Sequence, residues 1–235
     1  MLILFQPPVR HAPAQLPRAQ GQHGATLIEL IIGLVIVGML FLLGAPSIAS
    51  WIQNSKIRTA AEGMQSGLQL ARAEAVRRNT LVRFDLVTDL TNACVFAHVS
   101  ANWVVSLDNP AGPAGLCDAA PNDTVAPFIL QTHSSASGGG TTLTVNANTS
   151  PSGTPPNGTN LAGAIIFNGL GRLAARSNIT AGDQINIDIS NPVVDHCLSD
   201  VPAGSARCLR VVVTTAGQIR MCDPAFAFAV NPLGC

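Results

Sequence analysis

Charge is scarce in this 235-residue chain: Asp, Glu, Lys and Arg make up 11% of it, against 47% hydrophobic residues. That balance is low in charge for a soluble enzyme and natural for a chain with a membrane segment. Thirteen basic residues match thirteen acidic ones, so no overall positive field draws in nucleic acid. Lysine is nearly absent, Lys56 being the only one; any local basic patch is therefore an arginine patch. Metal and redox spacings are missing too. The chain has no Cys-x-x-Cys and no His-Glu-x-x-His, the patterns that mark zinc and thiol chemistry. Gly169-Leu170-Gly171 lacks the Lys-Ser/Thr of a phosphate loop and reads as a turn. His98, His133 and His196 are scattered. In Asp195-His196-Cys197, neighbours in an extended segment point to opposite faces, which disfavours a catalytic pair. The reading is of a protein that is not an enzyme and takes no metal or cofactor. Its length allows one sizeable domain or two small ones.

What the chain does have is one long apolar run. Residues 1–23 are irregular and proline-rich, with Pro7, Pro8, Pro13 and Pro17. From Gly24 the sequence reads Gly-Ala-Thr-Leu-Ile-Glu-Leu and then stays apolar to Trp51. Residues 30–51 would form about 33 Å of helix, enough to span a bilayer. Gly33, Gly38 and Gly44 would weaken a soluble helix but are tolerated in a membrane, where small residues allow close packing. Pro46 is expected to bend or locally melt the helix. The lone carboxylate, Glu29, is costly in lipid and calls for a partner. Beyond the run, Ile57, Ala61, Met64, Leu68, Ala71 and Ala75 recur at spacings of four and three, an apolar stripe that predicts a continued helix to Arg78.

After residue 80 the pattern changes to strands. Segments 81–87, 93–99, 103–107, 128–131, 141–145, 164–167, 184–189, 209–214 and 218–222 are short and rich in β-branched residues. Ala216-Gly217 predicts a two-residue turn joining the last two as a hairpin. Residues 133–160, crowded with Ser, Gly, Thr, Asn and Pro, read as a flexible loop around one strand. The fold class is α+β: a long N-terminal helix followed by a mainly antiparallel β-sheet. All six cysteines (Cys94, Cys117, Cys197, Cys208, Cys222 and Cys235) follow the apolar run. An even set suggests disulfides in an oxidising compartment. Fifteen pairings are open to six cysteines; local pairing, Cys94 with Cys117, Cys197 with Cys208 and Cys222 with Cys235, is the preferred one.

The motif Gly24-Ala25-Thr26-Leu27-Ile28-Glu29 resembles the type III signal of type IV pilins and type II secretion pseudopilins. Pro46 sits where those proteins carry their helix-bending proline. Further segments resemble the FimT/GspH branch: Ala71-Arg72-Ala73-Glu74-Ala75-Val76-Arg77-Arg78-Asn79, Trp103-Val104-Val105, Phe167-Asn168-Gly169-Leu170-Gly171-Arg172, and Arg210-Val211-Val212-Val213 with Gly217-Gln218-Ile219-Arg220-Met221-Cys222-Asp223-Pro224. Ala25 stands where Phe or Met is usual, and His23 where a basic residue commonly precedes the glycine.

The resemblance implies a pilin-like fold and a subunit of a filament. Residues 1–24 would be a leader, removed by a prepilin peptidase between Gly24 and Ala25, with methylation of the new Ala25 amine. Residues 25–52 would be the transmembrane and assembly helix, 53–80 its amphipathic continuation, and 81–235 a periplasmic β domain. The protein would sit in the bacterial inner membrane as a single-pass subunit, with other pilins and the membrane assembly platform as partners. Glu29 would pair with the amino terminus of an adjacent subunit. The implied function is a minor pilin or pseudopilin that helps initiate or cap a type II secretion pseudopilus or type IV pilus. The alternative is a tip binding module for DNA or a surface. Some FimT-type proteins use a Gly-Arg-x-Arg loop toward DNA; its counterpart here is Gly217-Gln218-Ile219-Arg220, with Gln218 in place of the first arginine. Arg207, Arg210 and Arg220 are the candidate DNA contacts.

Overall fold

The computed structural model describes residues 26–135, 143–151, 161, 164–175, 183–191 and 196–235, without the side chains of 42–47, 49, 150 and 151. The chain divides into two compact units, Met1–Ala45 and Pro46–Cys235. Helix α1 runs over Leu27–Arg78. Thr26 caps its start: the Glu29 N–H donates to Thr26 Oγ1 at 3.3 Å, the N-cap half of a Ser/Thr-x-x-Glu capping box. At the other end the Asn79 N–H donates to the Val76 carbonyl and the Thr80 N–H to the Ala75 carbonyl. Asn79 has φ 48°. This is a Schellman ending with asparagine in the left-handed position that more often takes glycine. The helical assignment passes through Pro46 without interruption, so the local melting expected there is not seen.

Eight strands follow: β1 (Val82–Val87), β2 (Asn102–Leu107), β3 (Ile129–His133), β4 (Thr144–Pro151), β5 (Ile165–Phe167), β6 (Asp183–Ser190), β7 (Leu209–Val213) and β8 (Ile219–Cys222). They form two four-stranded sheets, ordered β3-β2-β1-β5 and β4-β6-β7-β8, and every strand pairing within them is antiparallel. The expected single sheet is thus two. The stripe on α1 explains how both are held. Ile57, Ala61, Met64, Leu68, Ala71 and Ala75 are all but fully buried, and they share one core cluster with Phe84, Trp103 and Phe167 of the first sheet and Ile185, Ile187 and Val211 of the second. Burying each large aliphatic side chain is worth roughly 1.5–3 kcal/mol. A smaller cluster, Val87, Cys94, Val104, Cys117 and Ile129, includes one disulfide pair.

Three strand expectations need correction. Residues 93–99 are not a strand; they make isolated bridges, Val87 to Phe96 and Val99 to Asn146. β1 already has β2 along one edge and β5 along part of the other, so on β1 this segment reaches only the residues past the end of β5's pairing, and its far end turns to β4, the Ala147 N–H donating to the His98 carbonyl. Second, the strand expected at 141–145 within the 133–160 loop is β4, which starts at Thr144, runs on to Pro151 and pairs with β6 over all eight of its residues. Its alternation, Val145 and Ala147 inward, offsets the low strand propensity of its asparagines. Third, the β7–β8 turn has three residues, not two: Thr214 and Gln218 pair across it, the Thr214 N–H donating to the Gln218 carbonyl at 3.0 Å.

Candidate functional site

Among the described residues no helix is long and apolar enough to cross a membrane. The described apolar side chains of the first unit run over 27–41. They are nonetheless exposed all around the helix: Leu27 is 76% exposed, Ile28 66%, Ile36 53% and Val37 50%, positions spread over every face. A helix apolar on every face is one that some other surface covers. Glu29 is the acid of its first turn, where a negative charge suits the helix dipole. Gly24 and Ala25 lie outside the described residues.

The six cysteines are paired as Cys94–Cys117, Cys197–Cys208 and Cys222–Cys235, and none is free. Cys197 therefore offers no thiol beside His196.

The arginines are largely committed inside the fold. Arg72 Nε donates to the Gly171 carbonyl at 3.0 Å. Arg77 and Arg78 both bond Glu74, and Arg78 reaches Asp123 at 2.8 Å. The Arg77 and then the Arg78 hydrogen bonds hold the Glu74 carboxyl below the usual range. Arg83 is buried against Asp85 at 2.6 Å and lies over the Phe96 ring. Burial outweighs that pairing and pushes the Asp85 carboxyl up. Of the three candidate DNA contacts, Arg210 is buried and bonded to Asp188 at 2.6 Å. Arg220 bonds the Gly234 carbonyl and lies over Phe228. Arg207 is exposed. Arg210 and Arg220 share one groove, whose lining does not include Arg207.

The glycine turn has a structural reason. A Cβ on Gly169 would meet Asn79 Oδ1 at 2.3 Å. A Cβ on Gly217, whose φ is +78°, would lie 1.8 Å from the Gly171 carbonyl oxygen. The end of α1, the turn after β5 and the β7–β8 turn are thus pressed together, backbone on backbone. The contact explains why these positions hold glycine without calling on a ligand.

The profile of the type II transport protein GspH matches residues 60–217. The chain belongs to the GspH/FimT family of minor pilins and pseudopilins. The matched span begins on the buried part of α1 and ends at the Gly217 turn, so this GspH-family region contains both sheets up to β8 and the glycine contacts just described. It reaches neither the Gly24–Glu29 motif nor Cys222 and Cys235. Among solved structures, two crystal forms of the type IV minor pilin FimU from Pseudomonas aeruginosa (strain PAO1) are similar, each at 16% identity over 70% of this chain. They are covered over 87% and 90% of their own length, with TM-scores of 0.42 and 0.39. No curated protein matches the chain.

Proposed function

We propose that this GspH-family chain is a non-enzymatic filament subunit, a minor pilin or pseudopilin that helps initiate or cap a type II secretion pseudopilus or type IV pilus. The observation that carries the reading is the first part of α1: apolar on every described face, exposed, and carrying one acid in its first turn. Lipid covers such a surface before assembly and neighbouring helices cover it afterwards. A prepilin peptidase cuts between Gly24 and Ala25 and methylates the Ala25 amine, residues 25–52 hold the subunit in the inner membrane, and Pro46 shapes the assembly helix. The second unit faces the periplasm, in keeping with three disulfides, which persist in oxidising compartments.

Glu29 accepts the amino terminus of an adjacent subunit in this reading. Such a buried pair adds little net stability, but leaving one charge unpaired costs about 3–5 kcal/mol. The pair therefore acts as a check on register. Glu29→Ala is expected to leave cleavage intact while lowering the protein's share of sheared filaments by about tenfold or more. An immunoblot of processed size and filament fraction reads both quantities; normal incorporation would sink the reading. A deletion strain scored for twitching and for exoprotein release assigns the machine.

A further inference from the structure

The outer face of the second sheet is unlike an ordinary solvent face. Partners across an antiparallel ladder point to the same side, so the register sets Asn146, Asp188, Arg210 and Cys222 in one row. Asn148, Asn186, Val212 and Arg220 form the next. Polar residues of a solvent face stand exposed, yet Asn148, Asn186 and Arg210 are each less than one-tenth exposed. Two disulfide-closed segments, 197–208 and 222–235, contribute walls to a groove over this face. Its volume is about 1090 Å³, at the upper end of ligand sites.

The floor carries unused hydrogen-bonding capacity of both kinds. Arg210 spends Nε on Asp188, and among the described residues neither of its terminal amino groups meets an acceptor. Asn146 Oδ1 is buried and, among the described residues, accepts no hydrogen bond. Asp188 takes Arg210 on one oxygen and Asn148 on the other. Buried polar atoms left unpaired are uncommon and call for an explanation. One wall is aromatic: Phe226 and Phe228 line the groove, 39% and 59% exposed. Side-chain charge in the lining cancels, Arg210 and Arg220 against Asp188 and Asp200.

Each feature narrows the ligand. A phosphate-bearing strand needs uncompensated cations, and the two aspartates remove them. An apolar helix needs an apolar floor. A sugar ring has hydroxyls that each donate and accept, which suits Arg210 beside Asn146 and Asp188. It also has an apolar C–H face for an aromatic wall. The volume exceeds a single ring and fits several in a chain. Because both walls are closed by disulfides, little loop ordering has to be spent on binding. We propose that this groove binds a neutral oligosaccharide.

The test uses the full chain in micelles of a detergent without a sugar headgroup. Cellotetraose and tetra-N-acetylchitotetraose are titrated separately, with saturation-transfer NMR reading binding. Saturable binding of at least one, in the millimolar range or tighter, is expected. Arg210→Lys, which keeps the charge and removes the fork, and Phe226→Ala, at a half-exposed side chain, should each weaken it about tenfold. The second variant keeps the test sharp if the first fails to fold. Silence from both tetrasaccharides, or affinity unchanged in Phe226→Ala, overturns the proposal. So does displacement of the sugar by a neutral hexapeptide or an oligodeoxythymidylate. Failure here leaves the Glu29 filament result untouched, since that experiment never engages the groove.

Discussion

Helix α1 holds two apolar regions that differ in pattern and in what covers them. Over 27–41 the large side chains are exposed around the whole helix, whereas over 57–75 only one stripe is apolar and it is buried. The charged neighbours differ too. Glu29 is the one charged residue between Ala25 and Lys56. The later region carries Arg58 with Glu62 and Arg77 and Arg78 with Glu74 on its open faces. An apolar stripe set among charges belongs to a folded domain; an apolar surface without them awaits another surface.

The largest separation is expected from leucine truncation. Leu68→Ala should cost the folded protein about 2–5 kcal/mol, while Leu34→Ala should change it by less than about 0.5 kcal/mol. Urea denaturation of the full chain in micelles, followed by tryptophan fluorescence, measures both; equal losses would break the comparison. Glycines sharpen it at smaller scale. A Cβ on Gly67 would lie 2.7 Å from the Trp103 ring and 2.9 Å from Phe84, whereas one on Gly33 meets nothing within 4 Å. Gly67→Ala should therefore cost about 1–3 kcal/mol through overpacking. Gly33→Ala should be neutral, or stabilising by up to about 1 kcal/mol through helix propensity.

The smallest effect is a pH dependence confined to the later region. The Glu74 carboxyl is held low by Arg77 and Arg78, so its contribution is present above its unfolded pKa and lost as pH falls through the folded one. Stability should drop on acidification from about pH 5 to pH 3 by up to about 1 kcal/mol from this group, and Glu74→Gln should flatten that part of the profile. Asp85 acts with the opposite sign, since burial raises its pKa and its contribution is lost as pH rises. The difference between wild type and Glu74→Gln isolates Glu74. An unchanged acid profile in the variant would show that the arginines do not depend on it.

Much of the fold was legible because its signals are local. The spacing of Ile57, Ala61, Met64, Leu68, Ala71 and Ala75 marked the stripe that is buried. The three disulfides follow the nearest-neighbour order of the cysteines, closing short segments. The capping role of Thr26 is a local signal as well: Thr26 stands three residues before Glu29, whose N–H donates to the Thr26 hydroxyl. The length of β4 was hidden by its asparagines, whose outward positions only the pairing with β6 makes plain.

What the sequence determined by itself is the helix with its two kinds of apolar surface and the antiparallel character of the strands; among the fifteen cysteine pairings it favoured the local one, which the fold adopts. These rest on periodicity and on neighbours a few residues apart. Tertiary structure alone decided that the strands divide into two sheets on one helix. It also placed Gly217 against the Gly171 carbonyl and bonded Arg210 to Asp188. Those contacts join residues 46 and 22 positions apart, and a one-dimensional pattern carries no distance between them. The arginines named first as candidate DNA contacts show the consequence. Composition records the charge, and only the fold shows that Asp188 already neutralises one of them.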